Sequence, residues 1–257
     1  MNRSIPKKGG TSRRALEIIL RSRNPQVGLK KVIRLFKEIW FFDLRRPGIR
    51  TGFQTKSEIL ANDYMWYSPT ESTTAFQAST FILSWFDSFY KYSNSKLLPV
   101  FVDFGAGAGK MNLVAKEVGF TLSIGFELDP DLVTIAEQNF KKSKRPPRGF
   151  QGDAGALIAM KGDVTSLEDV HRLKRVIEES LPKGIEDYVV CGYNKNSYGA
   201  MTLKQSISIL DNVFGGYFYF YQNPVHRNVI KDLGLTVQRE HFSSRLNENE
   251  EWLLATR

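Results

Sequence analysis

The sequence predicts an α/β protein built on a doubly wound, mainly parallel, seven-stranded sheet, with a basic helical extension at its N-terminus. Two observations support this fold class. From residue 50 onward, short apolar runs alternate with longer amphipathic segments, as strands and helices do in a parallel sheet that is covered on both faces. The first apolar run also passes directly into a glycine-rich segment and then a helical pattern, which is typical of a buried strand that turns sharply into a helix.

The individual elements follow in order from these patterns. A leading helix is expected over residues 74–90, and two final segments, 234–238 and 252–256, are expected to pair antiparallel. Thr165, with Glu168 three residues later, has the spacing of a capping box and is expected to open the helix after the third strand. The remaining predicted strands are 99–104, 122–127, 156–160, 188–193 and 217–222, and the remaining helices are 110–118, 130–141, 201–213 and one that follows Asn223-Pro224.

The N-terminal 50 residues differ from the rest of the chain in charge. They carry fourteen Lys or Arg against three acids, a net charge of +11, whereas residues 51–257 are close to neutral. Apolar residues recur at helical spacing over residues 29–44, opposite a basic face, which predicts a basic amphipathic helix. We therefore divide the chain into a basic arm, 1–50, and a second domain, 51–257. The helix is interpreted as a cover for the core, as a membrane-surface helix, or as a face that contacts nucleic acid or protein.

The composition limits the classes of protein that the chain can belong to. No run approaches the roughly 18 apolar residues that span a bilayer, and nothing near the N-terminus has the pattern of a signal-peptide core. Cys191 is the only cysteine, which excludes an internal disulfide and a cysteine-based zinc cluster. We therefore expect a cytoplasmic protein.

The most informative segment is Asp103-Phe104-Gly105-Ala106-Gly107-Ala108-Gly109-Lys110, in which three glycines alternate after a strand that ends in an acid. Glycine tolerates positive φ and lets a ligand approach the main chain, and such a turn leaves backbone N–H groups free. The segment therefore predicts a nucleoside-cofactor site. It differs from the dinucleotide pattern G-x-G-x-x-G, because Lys110 stands where the third glycine falls. No Gly-Lys-Ser/Thr closes it as in a phosphate-binding loop.

This segment resembles the first motif of the class I S-adenosylmethionine (SAM) methyltransferase superfamily, in which an acid two residues before the first glycine and this glycine spacing are usual. The resemblance implies a Rossmann-like methyltransferase fold with SAM as the cofactor. Asp103 is expected to hold the ammonium group of the cofactor, directly or through water. The turn that admits the methionine part and the ribose is expected to consist of Gly105, Ala106, Gly107 and Gly109.

Glu127, eighteen residues after Gly109, strengthens this resemblance. It ends the second predicted strand, where a carboxylate can accept hydrogen bonds from both ribose hydroxyls. A solvated acid at a strand end is the alternative role. Asp129 and Pro130 follow as the expected N-cap and first residue of the next helix. The apolar face of that helix is predicted to consist of Leu132, Ile135, Ala136 and Phe140.

An acid after the third strand commonly contacts the adenine amino group in this superfamily. Asp163, in Gly162-Asp163-Val164, is the preferred residue. Asp153, in Gly152-Asp153-Ala154, is the alternative, because sequence patterns place the ends of a strand only to within a few residues. Whichever acid does not contact adenine is expected to lie in a surface loop.

The segment after the fourth strand, residues 193–199, resembles the fourth methyltransferase motif, which faces the transferable methyl group. Asn194 and Tyr198 are candidates for lining the methyl-transfer site, with a plain cap of the strand end as the alternative role. Lys195 and Asn196 occupy the positions at which amino-directed nucleic-acid methyltransferases often have two prolines. A base amino group is correspondingly less favoured as the methyl acceptor.

Two further segments resemble a group of small bacterial SAM methyltransferases whose substrates are poorly known. One is Tyr67-Ser68-Pro69-Thr70, and the other is residues 219–226, which are like the Tyr-x-Asn-Pro-x-His signature of that group. Tyr67 is a candidate for contacting the cofactor, because an aromatic face favours a sulfonium. His226 is a candidate general base, or an orienting or structural histidine. With the glycine motif, the resemblance covers residues 50–257 and leaves out the basic arm.

The sequence therefore predicts a SAM-dependent methyltransferase with an unidentified acceptor, either a small molecule or a protein side chain. The activated methyl group of SAM needs alignment more than acid chemistry, so that no metal is required. One alternative is an RNA- or DNA-directed methyltransferase that uses the basic arm on phosphates. Another is a non-catalytic SAM-binding module whose arm docks on a membrane surface or a protein.

Overall fold

The computed structural model describes residues 72–90, 97–143, 156–185, 187–195, 199–222, 227–244 and 247–256. All of them belong to the second of the two units into which the chain divides, Gly48–Arg257. The predictions for the basic arm, and those for Tyr67, Asp153, Tyr198 and His226, lie outside the described residues.

Helices and strands alternate along the described part of the chain until two strands follow each other at its end. In chain order the elements are α1 (Ser72–Tyr90), β1 (Leu97–Phe104), α2 (Lys110–Val118), β2 (Leu122–Glu127), α3 (Pro130–Lys142), β3 (Ala156–Lys161), α4 (Leu167–Ser180), β4 (Asp187–Asn194), α5 (Ala200–Val213), β5 (Tyr217–Gln222), α6 (Arg227–Asp232), β6 (Thr236–Ser244) and β7 (Asn247–Thr256).

The strands form one seven-stranded sheet in the order β3-β2-β1-β4-β5-β7-β6. The first five strands in this order pair in parallel, and β7 lies antiparallel to both of its neighbours. Parallel neighbours require crossover connections, and α2, α3, α4 and α5 supply them. The predicted fold class, a doubly wound and mainly parallel sheet of seven strands, is confirmed.

Alternate side chains of each strand point to opposite faces of the sheet. Apolar side chains therefore lie on both faces, and helices cover both. On one face Val102, Phe104 and Ile124 belong to a buried cluster with residues of α4 and α5, among them Leu173 and Ile207. On the other face Phe101 of β1 contacts Phe120, with ring centroids 5.2 Å apart, and Phe218 of β5 meets Trp85 of α1 at 5.9 Å. The sheet is therefore wound on both sides, and its central strands are shielded from water.

The N-cap of the helix after β3 differs from the prediction. The helix after β3 begins at Leu167 with Ser166 as its N-cap, and the Ser166 hydroxyl accepts the N–H of Asp169 at 3.3 Å. Thr165 instead donates its N–H and its hydroxyl to Asp163, at 2.8 and 2.7 Å. Because the N–H and the hydroxyl of Thr165 are both hydrogen-bonded to Asp163, the N-cap lies one residue later. The predicted start at Thr165 is wrong.

No helix among the described residues is long and apolar enough to cross a bilayer.

Candidate functional site

Four polar residues lie in a row where the parallel strands reach their carboxyl ends. Asp103 is the penultimate residue of β1, Glu127 and Asn194 are the last residues of β2 and β4, and Asp163 follows β3 by two residues. Neighbouring strands are about 4.8 Å apart. The strand order β3-β2-β1-β4 therefore arranges them as Asp163, Glu127, Asp103 and Asn194. Ligands of open α/β sheets collect at this edge.

The glycine turn between β1 and α2 is the next part of the site. Its three glycines have φ of +86°, +55° and +78° at Gly105, Gly107 and Gly109, a region that side chains disfavour. The N–H groups of Gly105 and Ala106 donate to the carbonyl of Phe126 on β2, at 2.8 and 3.3 Å. The alternating glycines are thus explained by backbone conformation, and the turn is tied to the neighbouring strand.

Close packing beneath the turn explains two glycines independently of any ligand. A Cβ on Gly109 would lie 2.4 Å from the Phe140 ring of α3. A Cβ on Gly125 of β2 would lie 3.0 Å from both the Ala106 Cβ and the Asn112 Oδ1. The buried Ala106 side chain therefore packs toward β2.

Glu127 joins the turn to the start of α3. One carboxylate oxygen, Oε2, accepts the N–H of Gly107 at 2.7 Å, and the other, Oε1, accepts the N–H of Asp129 at 3.0 Å. Burial raises the pKa of Glu127, while the N–H groups of Asp129 and Gly107 oppose this rise. The N–H of Leu128 also lowers the pKa of Glu127. Because a carboxylate has about four lone-pair sites, it retains the capacity to accept a further hydroxyl beside these three N–H groups.

The start of α3 has the predicted cap. The Asp129 carboxylate accepts the N–H groups of Asp131 and Leu132, and Pro130 is the first helical residue. Both features were expected from the sequence.

Asp103 is the most deeply buried acid of the row, with 3% of its surface exposed. Burial raises its pKa well above the usual value of an aspartate, and the negative charge of Glu127 raises it further. Both effects disfavour the charged carboxylate as long as no cation stands beside it. A cationic group at this position would reverse them. The contact of Asp103 with an ammonium group stays a prediction.

Asp163 follows β3, the position at which the sequence predicted an acid. The N–H of Gly162 donates to the Glu127 carbonyl at 2.9 Å, so that the chain after β3 passes beside the end of β2. The Asp163 Oδ1 accepts both hydrogen bonds from Thr165, and among the described residues none involves Oδ2. Asp153 precedes β3 in the chain, whereas Asp163 follows it. The contact of either acid with adenine stays a prediction.

Asn194 reaches this edge of the sheet but is fully buried. Its Nδ2 donates to the carbonyl of Phe104 at 2.5 Å, which joins the end of β4 to the residue that precedes the glycine turn. This contact is the strand-end role that the sequence left open. A role of Asn194 in lining the methyl-transfer site stays a prediction.

Sequence reasoning missed Asn139 of α3. Its side chain is 1% exposed, and its Nδ2 donates to the carbonyl of Ala108 in the glycine turn at 2.9 Å. The available signal was a polar residue beside Phe140, on the helix face that the sequence predicted to be apolar. Asn139 and Ala108 are 31 residues apart, and no short motif includes both.

The sequence matches no protein-family model, and no curated protein sequence matches it. The fold is similar to that of the METTL16 methyltransferase domain, with a TM-score of 0.52 and 14% identity, over 88% of this chain and 80% of that one. Also similar are the rRNA methyltransferase aviRa from Streptomyces viridochromogenes (TM-score 0.48, 12% identity, 70% of this chain and 84% of that one) and magnesium protoporphyrin IX methyltransferase from Synechocystis PCC 6803 with bound SAH (TM-score 0.45, 14% identity, 89% and 99%).

The likeness to the METTL16 domain concerns the fold alone. The chain therefore has the Rossmann-like fold of the class I SAM-dependent methyltransferases.

Proposed function

We propose that the protein is a SAM-dependent methyltransferase that transfers a methyl group to an unidentified acceptor, a small molecule or a protein side chain. The observation that carries the proposal is the hydrogen bond between the Gly107 N–H of the glycine turn and the Glu127 carboxylate. A turn with three left-handed glycines lies at the carboxyl edge of a parallel sheet, and a carboxylate of the neighbouring strand holds it by the Gly107 N–H.

The chemistry of the row of acids fits SAM better than it fits a nucleotide. Asp103 lies beside the turn, where its carboxylate, when charged, would repel the phosphates of a dinucleotide, whereas an acid at the position of Glu127 suits the ribose of either cofactor. SAM has no phosphate, and its ammonium and sulfonium are cationic. In the order of the strands, Asp163 would accept from adenine, Glu127 from the ribose hydroxyls and Asp103 from the ammonium. The end of β4, at Asn194, would then lie beside the methyl group.

SAM supplies an already activated methyl group, and the protein has to align the acceptor with it. Alignment alone lowers a reaction barrier by about 7 to 11 kcal/mol when the reacting atoms are held at attack distance. Asn194 would contribute by fixing the ends of β4 and β1 relative to each other. An acceptor that is protonated at neutral pH, such as a lysine amine or a hydroxyl, also needs a base, and Tyr198 and His226 are the residues we propose for this role.

Calorimetric titration tests the cofactor. We expect SAM and its demethylated product to bind at the micromolar level or tighter, and ATP and NAD to bind at least about 100-fold more weakly, because their phosphates would face Asp103. Tight binding of NAD without binding of SAM would contradict the proposal.

Labelling of a cell extract with methyl-tritiated SAM tests the activity and identifies the acceptor class. We expect label to enter a small-molecule or a protein fraction in the presence of the intact protein, and to enter about 10-fold more slowly with a Glu127→Ala variant when SAM is kept below its dissociation constant. The absence of any turnover, with SAM binding intact, would favour the alternative of a non-catalytic SAM-binding module whose arm docks on a membrane surface or a protein.

The charge of residues 1–50 favours one second candidate, a methyltransferase directed at RNA or DNA. A net charge of +11 on a short segment attached to a nearly neutral domain is suited to binding phosphates. If this is the function, the affinity for RNA or DNA falls steeply as salt rises, and it is lost when residues 1–50 are deleted. Affinity that is indifferent to both changes would reject this candidate.

A further inference from the structure

We propose that Asn139 is a positioning residue for the cofactor, acting through the glycine turn; this inference rests on the proposed function. Asn139 belongs to α3 and is 1% exposed, and its neighbours on the buried face of that helix include Ala136 and Phe140. An amide in this setting costs free energy unless it is hydrogen-bonded. Its Nδ2 donates to the carbonyl of Ala108, in the middle of the turn, at 2.9 Å.

The C-terminal half of helix α3 contacts the glycine turn in two ways. The hydrogen bond from Asn139 fixes the peptide group between Ala108 and Gly109. The Phe140 ring lies directly beneath Gly109, where a Cβ would meet it at 2.4 Å. The turn therefore packs against α3, and the hydrogen bond from Asn139 fixes its orientation.

The other end of α3 is connected to the same turn through Glu127. Its Oε1 accepts the N–H of Asp129, the N-cap of α3, and its Oε2 accepts the N–H of Gly107. Contacts thus run in a closed circuit from Glu127 to the turn, from the turn to Asn139, and along α3 back to Glu127. In this circuit Asn139 supplies the hydrogen bond between the C-terminal half of α3 and the turn.

The circuit predicts how the loss of the Asn139 hydrogen bond affects the binding of the cofactor. When the Asn139 donor is removed, the Ala108 carbonyl loses this contact and the turn gains freedom relative to α3. The hydrogen bond between the Gly107 N–H and the carboxylate of Glu127, the proposed ribose contact, then loses its fixed geometry. Because the ribose belongs to the nucleoside, the loss of affinity is shared by every ligand with that nucleoside, whether or not it carries an ammonium group.

The variants Asn139→Leu and Asn139→Asp test this role. Both keep the approximate size, one without a donor and the other with a carboxylate facing the Ala108 carbonyl. The matched control is Gln138→Glu, an amide-to-carboxylate change at an exposed position of the same helix. We expect the affinities for SAM and for 5′-methylthioadenosine to fall together by about 10-fold or more in the Asn139 variants, and to stay within about 2-fold in the control.

Urea unfolding of the same variants distinguishes positioning from plain support of the fold. If the Asn139 variants are folded and less stable but bind both ligands as the unaltered protein does, the residue is structural and the proposal is wrong. If the unaltered protein does not bind SAM, the proposed function fails instead.

A measurement on the unaltered protein covers the case of variants that do not fold. The side-chain amide protons of Asn139 are followed by NMR while 5′-methylthioadenosine is added. We expect their exchange with solvent to slow by about 10-fold, because the ligand removes the remaining freedom of the turn. Unchanged exchange at saturation would overturn the proposal.

Discussion

At the scale of single residues, the negative charge of Asp103 has opposite effects on the stability of the fold and on the proposed binding of a cation. A carboxylate that is 3% exposed and close to Glu127 destabilises the fold when it is charged, which is the reason for its raised pKa. A ligand that brings a cation needs this charge. The residue therefore costs stability in the protein without ligand, and this cost depends on pH.

The substitution Asp103→Asn is expected to stabilise the protein at neutral pH. Because the pKa of Asp103 is raised in the folded state, its proton favours folding. That contribution is complete below the unfolded pKa of about 3.9, and it is lost as pH rises through the folded pKa. Asn stays neutral throughout, so the advantage of the variant is absent at pH 4 and grows with pH. Urea unfolding at pH 4, 5.5, 7 and 8 measures it, and a difference that is independent of pH would contradict the assignment.

The same substitution is expected to weaken SAM binding selectively. A hydrogen bond between charged groups contributes about 1.5 to 3 kcal/mol, so that the dissociation constant of SAM should rise about 10-fold or more. The nucleoside 5′-methylthioadenosine lacks the ammonium group, and its affinity should change less than about 2-fold. Titrations with both ligands check this, and equal losses would show that Asp103 acts on the turn and not on the ammonium.

Glu127→Ala is expected to weaken SAM binding about 10-fold or more, for two reasons. The proposed ribose contact is lost, and the Gly107 and Asp129 N–H groups lose their acceptor. Comparing adenosine with 2′,3′-dideoxyadenosine separates these reasons. The unaltered protein should prefer adenosine, and the variant should bind both nucleosides equally. A preference for adenosine that survives the substitution would remove Glu127 from the ribose site.

At the scale of elements, the packing of the glycine turn on α3 can be measured with a pair of substitutions. Gly109 and Gly184 have similar positive φ angles, +78° and +83°. A Cβ would meet the Phe140 ring at Gly109, whereas nothing lies within 4 Å at Gly184. Gly184→Ala should therefore cost only the backbone strain, about 1 to 2 kcal/mol of unfolding free energy.

Gly109→Ala should cost at least about 1 kcal/mol more than Gly184→Ala, because the Phe140 ring must move. The double variant Gly109→Ala, Phe140→Leu should recover part of the difference, since the ring is then absent. Equal costs at the two glycines would mean that the turn does not press on α3.

The sequence predicted the elements around the site closely, for physical reasons that differ between elements. The bounds of α2, β2 and β5 agree with the prediction, because glycine, proline or a charged residue ends each apolar run. The strands β6 and β7 extend well beyond the predicted 234–238 and 252–256. Antiparallel pairing uses main-chain groups, and it continues through polar side chains that carry no alternating apolar pattern.

The site was predictable where neighbouring strands end and unpredictable where a helix returns to the turn. Asp103, Glu127, Asp163 and Asn194 come together because parallel strands place their carboxyl ends at one edge. The contact between Asn139 and Ala108 depends on how α3 crosses the sheet, and helical periodicity gives only the face on which Asn139 lies. Whether a buried amide finds a partner is decided by the tertiary structure.

At the scale of the whole molecule, the sheet depends on its last described strand. β7 is the partner of both β5 and β6, and β6 pairs with no other strand among the described residues. Deleting residues 247–257 should therefore abolish cooperative unfolding, although no predicted site residue lies in that segment. Circular dichroism during heating checks this, and a sharp transition in the shortened chain would contradict it.

The position of β7 also has a consequence for how the protein is made on the ribosome. The strands that carry the row of acids are synthesised first and can pair with each other as they emerge. β6 then emerges beside β5 but has to leave that place open for a strand that is synthesised later. Until then the exposed edge of β5 is a site at which nascent chains can pair with each other, so that slow synthesis near the C-terminus should favour aggregation over folding.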